Sequence, residues 1–256
     1  MRKSMAKPKI SVITISYNIA SEIERTVVSI QGQDFKDFEW IVVDGQSSDG
    51  TEDILKRHKK FISKFISAKP AGPYDAMNKG LAEARGELIC FINGGDELID
   101  HSVLSDTWKQ FMTSKTEILY GDAIICNEKG EDRLESYDIP LKRLLVGSMV
   151  NHQAIFCTQH AFRVVGSFDT QYRACADYDW LLRALYRHNI SHLHFARPIA
   201  RFHLGGVSTK IDVYAERRKI QQQYYNHYEK ITAYIIKQQR YLKSVYDRFF
   251  IRSKHE

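Results

Sequence analysis

The chain has 256 residues, 43% of them apolar and 27% charged, a composition that fills a core and argues against a disordered or fibrous protein. Its formal net charge is +6, and residues 211–256 hold most of it, with ten Lys and Arg against five Asp and Glu. The rest is nearly neutral, which does not suit a nucleic-acid binder with a basic recognition face. Cys90, Cys126, Cys157 and Cys175 are far apart and form no CxxC pair. That is the pattern of core thiols in a reducing, cytoplasmic compartment, without a disulfide frame or zinc site.

In chain order, the β-branched run at 9–15 reads as a first, buried strand. It is too short and too rich in Ser and Thr for a signal peptide, and no stretch approaches the length of a membrane span. Ser21 with Glu24 has the form of a capping box, followed by Ile23, Val27 and Ile30 at helical spacing. A strand at 38–43 ends in the turn-rich loop 44–51, and a helix opens at Thr51 with Asp49 as its cap. A third strand is expected within 61–67, a helix over 74–85 and a fourth strand at 88–92. Strand and helix alternate four times in under 100 residues, the pattern of an α/β fold with a mostly parallel sheet. The second half reads as strands at 118–126 and 154–156 and a hairpin turn at 128–130. It continues with a short helix at 177–185 and separate strands at 192–197 and 200–203. A catalytic-domain boundary falls at 208, leaving 209–256 as a helical, basic, aromatic-rich extension.

In parallel sheets, ligands sit outside the carboxyl ends of the strands, near the point where strand order reverses. Three loops are expected to converge there: Ser16, Tyr17 and Asn18; residues 44–51; and Asn93, Gly94, Gly95 and Asp96. In the last, an apolar strand runs into two glycines and one acid.

The stretches "ISVITISYN", "WIVVDGQSSDGT", "YDAMNKGLAEARGELICFINGGDEL", "ADYDWLLR" and "FHLGGVS" occur in the order seen in family 2 glycosyltransferases. The resemblance covers residues 9–208 and is greatest to bacterial enzymes that build capsule, exopolysaccharide and lipopolysaccharide. It implies the inverting GT-A fold, a nucleotide-sugar donor (a UDP-sugar favoured), a divalent metal (Mn²⁺ or Mg²⁺) and a hydroxyl acceptor on a glycan or lipid-linked oligosaccharide. The chemistry agrees. A leaving diphosphate needs its charge neutralised, and the acceptor hydroxyl needs a base.

On this resemblance Asp96 is the metal ligand. Relatives often carry Asp-x-Asp or Asp-Asp at this turn, whereas here Asn93 and Gly95 stand at the earlier acidic positions. His203 is the candidate second ligand, with a strand-end histidine as the equal alternative; an imidazole suits Mn²⁺ better than Mg²⁺. Gly94 and Gly95 are expected to let the diphosphate approach the backbone. The resemblance places an acid of the 44–51 loop against the nucleobase. Gly45 replaces the second acid common in relatives, so Asp44 substitutes for it or the base is held differently. Asp75 and Asn78 are expected to contact ribose and sugar, with Lys79 as a weaker phosphate partner. Asp177 matches the Asp of the family's Glu-Asp motif, the general base, with Ala176 at the Glu position. His152 and Trp180 are acceptor-side candidates, and core packing is the blander reading of Trp180.

The tail carries seven of the 14 tyrosines. Basic and aromatic residues at helical spacing fit a helix on an anionic membrane surface, at the inner face of the cell membrane. They equally fit packing on the catalytic domain or on a second subunit. A catalytically impaired sugar- or nucleotide-binding subunit is the main alternative function. A sugar-phosphate nucleotidyltransferase ranks lower, because the loop after the first strand lacks Gly and basic residues.

Overall fold

Strands that are apolar on both faces belong at the centre of a sheet covered by helices. In the computed structural model, which describes residues 7–127, 129–130, 132–136, 144, 147, 149–204 and 212–224, the first such run is β1 (Ile10–Ser16). It is flanked in parallel by β2 (Phe38–Asp44) on one side and β4 (Leu88–Phe91) on the other. The chain supplies β3 (Lys64–Ser67), β5 (Glu97–Leu98), β6 (Ile118–Cys126), β7 (Asp132–Glu135), β8 (Ile155–Thr158) and β9 (His192–His203) around them. The sheet order is β3-β2-β1-β4-β8-β6-β9-β5, with β7 on β6.

Strand order reverses at β1, so a crevice opens outside the carboxyl ends of β1 and β4. β8 is antiparallel to both β4 and β6, which therefore run the same way, and β9 is parallel to β6. The start of β8 and the ends of β4, β6 and β9 thus share one rim of the sheet. Everything that follows about the site depends on that rim.

The helices are α1 (Ile23–Gln31), α2 (Thr51–Arg57), α3 (Pro73–Glu83), α4 (Val103–Ser114), α5 (Gln159–Val165), α6 (Ala176–Leu182) and α7 (Val213–Tyr224). On α1, Ile23, Val27 and Ile30 are fully buried, each contributing roughly 1.5–3 kcal/mol by burial. The capping box at Ser21 does not form. Helix α1 starts from Glu22 without a side-chain cap, because the Ile19 carbonyl already accepts the amides of Glu22 and Ile23. Asp49 does serve α2, accepting from the Thr51 amide and hydroxyl at 3.0 and 2.6 Å.

The two late strands expected at 192–197 and 200–203 are one strand, β9. The break is reduced to a register shift against β6 around Asp122, where Pro198, lacking an N–H, pairs without donating. Helices α4 and α5 carry weak start signals in the sequence and were not anticipated. All four cysteines are buried and form no disulfide. Among the described residues no helix is long and apolar enough to cross a membrane.

Candidate active site

The wall at the ends of β1 and β2 is laced by side chains. Asp44 is fully buried and accepts from the Ser16 hydroxyl, the Ser47 amide and the Ser47 hydroxyl, each at 2.8 Å. The Asn18 amide donates to Ser47 Oγ, Ser48 N–H donates to Asn18 Oδ1, and Ala20 N–H donates to Asp49. Asn18 and Gln46 take left-handed backbone angles, φ 50° and 63°, an arrangement that the interlocked loops hold in place. Asp44, the acid expected against the nucleobase, therefore shapes this wall from within. The Tyr17 ring, 64% exposed, stands in its place. A Cβ at Gly45 would lie 2.9 Å from Tyr17 Cδ2, so an acid at position 45 is incompatible with this ring position.

The turn after β4 is built on Thr26 of α1. Its hydroxyl accepts from Gly95 N–H at 2.9 Å and donates to the Asp96 carbonyl at 2.6 Å. Gly95 has φ +95°, a conformation that favours glycine. Gly94 has a packing reason: a Cβ there would lie 2.1 Å from Ile19 Cδ1, and its amide donates to the Ile15 carbonyl. Both amides are bonded to protein, so the two glycines serve the turn and its packing.

Asp96 is delivered inward. It is 4% exposed; Oδ1 accepts from the His203 amide at 3.0 Å and Oδ2 from Gln153 Nε2 at 2.5 Å. Burial pushes its carboxyl up to about 7, against the lowering effect of these two bonds and of the His152 and Arg25 charges. The His203 ring points elsewhere, with Nε2 at 3.2 Å from Glu97 Oε1. His203 thus meets Asp96 through its backbone.

Asp177 lies in the first turn of α6. Oδ1 accepts from the Tyr74 hydroxyl at 2.9 Å and from Tyr178 N–H at 2.8 Å; Oδ2 accepts from His152 Nδ1–H at 2.9 Å. His152 Nε2 faces Asn93 Nδ2 at 3.0 Å, so the amide donates to that nitrogen and the ring proton sits on Nδ1, toward the carboxylate. Burial works to raise the Asp177 pKa, but the hydrogen bonds from His152, Tyr74 and the Tyr178 amide outweigh it and hold it below the usual carboxylate range. Burial and the Asp177 charge push the Tyr74 phenol well above its ordinary value.

Trp180 is buried, donates to the Gly166 carbonyl and packs on Phe162, which matches the blander reading of core packing. Asn78 spends both ends of its amide on the Phe168 backbone. Asp75 accepts from the Ala71 amide and pairs with Lys79. Asp179, two residues past Asp177, is consumed by Arg183 and Tyr224.

Helix α7 grips both flanks of Asp177. Glu216 accepts from the amides of Arg173 and Ala174 at 2.7 and 2.8 Å. Arg217 donates to the Gly147 carbonyl, and Gln221 donates to the Tyr178 hydroxyl. Removing Glu216 orphans two amides just before α6. Glu216→Ala is expected to cost about 2 kcal/mol of stability, which urea unfolding checks. The described part of the expected extension therefore packs on the elements before it, while the membrane reading falls mainly on residues 225–256, outside the described ones.

The family model described as Glycosyl transferase family 2 matches residues 11–166, a span that includes β1, β2, β4 and the Asp96 turn. The chain belongs to glycosyl transferase family 2. It is 32% identical over 188 residues to an uncharacterized glycosyltransferase of Mycobacterium tuberculosis, covering 69% of each chain. It is 30% identical over 183 residues to a PGL/p-HBAD biosynthesis glycosyltransferase of Mycobacterium bovis, covering 70% of each. Over 96 residues, 36% of this chain and 31% of the relative, it is 40% identical to a GalNAc(5)-diNAcBac-PP-undecaprenol beta-1,3-glucosyltransferase of Campylobacter jejuni. Among solved structures, S. aureus TarS 1-349 with UDP-GlcNAc aligns at TM-score 0.65 and 20% identity, covering 83% of this chain and 65% of that one. A Pyrobaculum calidifontis mannosyltransferase with GDP-Man and Mn²⁺ aligns at 0.61 and 16%, covering 85% and 62%. The match spans 39% of a longer TarS chain. The fold is GT-A, as the resemblance implied.

For this family 2 member the donor set for a metal is lean. Among the described residues no three His, Cys, Asp or Glu side chains gather as a metal group. Two buried oxygens in the site's hydrogen-bond network, Asn93 Oδ1 and Gln153 Oε1, lack partners among the described residues. The Asp96 carboxylate and Asn93 Oδ1 are oxygen donors of the kind hard divalent ions take, which fits an ion that arrives with diphosphate oxygens. The missing Glu at Ala176 has a physical reason: Ala176 is fully buried, and a carboxylate there would enter the core. Sequence reasoning missed Tyr74, Thr26 and Glu216 as parts of the site, while the resemblance had paired Gln153 with His152 on the acceptor side. Tyr74 stands beside a noted residue, so adjacency was the available signal; nothing local marks Thr26 or Glu216.

Proposed function

We propose that this family 2 glycosyltransferase performs an inverting transfer from a nucleoside-diphosphate sugar to a hydroxyl of a glycan or lipid-linked acceptor, with Asp177 as general base. The observation that carries the reading is the Asp177 carboxylate. Three donors orient it, its pKa is held low, its side chain is 12% exposed, and only Oδ2 accepts a single bond. Such a group is ionised at neutral pH and retains one lone pair for a substrate proton.

In the reaction the acceptor oxygen forms a bond to the anomeric carbon as the bond from that carbon to the diphosphate oxygen breaks. The hydroxyl proton passes to Asp177 Oδ2, and the nucleoside diphosphate leaves. Asp96 would hold a divalent ion, Mn²⁺ or Mg²⁺, whose chemistry is to neutralise the leaving diphosphate. The nucleobase would lie against Tyr17, Asn18 and Ser47, since Asp44 is turned inward. UDP is the first base to test, as in the TarS complex, and GDP its competitor, as in the mannosyltransferase. A lipid-linked acceptor agrees with the activity named for the Campylobacter relative and with the basic aromatic tail, which would bring 225–256 to the inner face of the membrane.

A panel of UDP- and GDP-sugars with Mn²⁺, Mg²⁺ or EDTA, read by thermal shift and slow sugar-donor hydrolysis, tests this. The expected result is stabilisation by one nucleotide class that EDTA abolishes, with hydrolysis of the matching sugar. Binding without any hydrolysis or transfer would favour the impaired-subunit alternative.

A further inference from the structure

His152 and Gln153 are consecutive, and each holds a different acid. They lie on a single 3-10 turn, His152–Ala154, which Asn151 caps through its side chain. His152 Nδ1–H donates to Asp177 and Gln153 Nε2–H donates to Asp96. The turn also leads directly into β8, the antiparallel strand between β4 and β6. A third link closes the circuit: Asn93, three residues before Asp96, bonds His152 Nε2.

We propose that Gln153 is a positioning residue for transfer, which with His152 ties the acid on the sugar-donor side, Asp96, to the base, Asp177, so that nucleotide binding at the first sets the geometry of the second. This rests on the roles given to Asp96 and Asp177 above. The physical reasoning is local. Both Asp96 oxygens accept protein bonds in the nucleotide-free protein, so a ligand competing for Oδ2 competes with Gln153. Gln153 is fully buried and its Oε1 has no partner, an arrangement with an unfulfilled acceptor and hence a reason to rearrange. A shift of Gln153 in a one-turn helix is a shift of His152, and His152 is one of three groups among the described residues that orient Asp177. Two rigidly adjacent side chains with partners in two subsites form a contiguous physical link.

The test uses the whole chain with UDP or GDP and Mn²⁺, and reads the His152 ring nitrogens by NMR, assigned through His152→Asn. In the wild type, nucleotide is expected to move the His152 ring signals. In Gln153→Met, close in volume and without the amide, nucleotide is expected to bind with an affinity within about threefold. In that variant the ring signals should stay still, and kcat should fall about tenfold with the sugar-donor KM little changed. Gln153→Glu, which keeps the shape and sets a second acid against Asp96, covers the case in which Gln153→Met fails to fold, and should likewise uncouple the signals. Ring signals that ignore nucleotide in the wild type, or respond equally in the variants, overturn the proposal. If neither nucleotide binds the wild type, the sugar-donor reading itself fails. If Asp177→Asn transfers normally while the ring responds to nucleotide, the link exists but Asp177 is not the base.

Discussion

Asp177→Asn is expected to lower transfer by about 10²–10⁴-fold, the range for loss of a positioned general base, while nucleotide binding stays within about twofold. The substitution is nearly isosteric, and the site can absorb it. If the new amide nitrogen faces His152, the ring can carry its proton on Nε2 and accept at Nδ1. Asn93 can then turn its amide to present Oδ1, the oxygen that lacks a partner in the present arrangement. Loss of rate without loss of fold would therefore report chemistry. The pH profile supplies a second reading. The titratable groups facing Asp177 are Tyr74, His152 and Cys175, and the low pKa of Asp177 places the acid limb of activity below the usual carboxylate range. His152→Ala removes the largest influence opposing burial, so the acid limb should move to higher pH as the rate falls. An unmoved limb would detach His152 from the base.

Asp96→Asn should have two opposite effects. Metal-dependent nucleotide binding is expected to fall by at least tenfold, because the carboxylate proposed to hold the ion is gone. Stability of the nucleotide-free protein at neutral pH should rise. The Asp96 carboxyl is raised from 3.8 to about 7 by burial, so between these values the folded state holds a proton that the unfolded chain has released. The stability that this represents is complete below about pH 4 and is lost as pH climbs through 7. Relative to the variant, the wild type should lose up to about 4 kcal/mol across that window. The asparagine has no charge to bury, its Oδ1 can still accept from the His203 amide, and its Nδ2 can donate to the unpartnered Gln153 Oε1. Urea unfolding from pH 4 to 8 should show a falling curve for the wild type and a flat one for the variant. Parallel curves would mean that Asp96 is ionised at little cost. Asp177 works in the opposite sense and in a separate window below about pH 4, so the two do not mask each other.

These effects share an origin in the placement of two carboxylates in adjoining but unlike surroundings. One is held charged by a histidine, a phenol and a helix amide; the other is driven toward neutrality by burial against an amide side chain. A ligand that brings positive charge to Asp96 would reverse its preference, which gives a physical reason for a buried acid to persist at a functional turn.

Much of this was legible in the chain. Alternation of β-branched runs with amphipathic helices gave the parallel half-sheet, and the ends of those runs located Ser16, Asp44 and Asp96 on one rim, because in such a sheet the carboxyl ends face the same way. Helical periodicity turns residues two apart to different sides, which separates Asp177 from Asp179. What the sequence by itself determined is therefore the family, the fold and the set of loops that meet. Only the tertiary structure decided which way each acid faces: Asp44 inward to Ser16 and Ser47, Asp96 to Gln153 and the His203 amide, Asp177 to Tyr74 and His152. Those partners lie from three residues away, as with Asp44 and Ser47, to more than 100, as with Asp96 and His203, and several come from strands whose direction no local pattern encodes. Hydrogen-bond partners and burial set the charge of a carboxylate, and both are properties of the assembled rim.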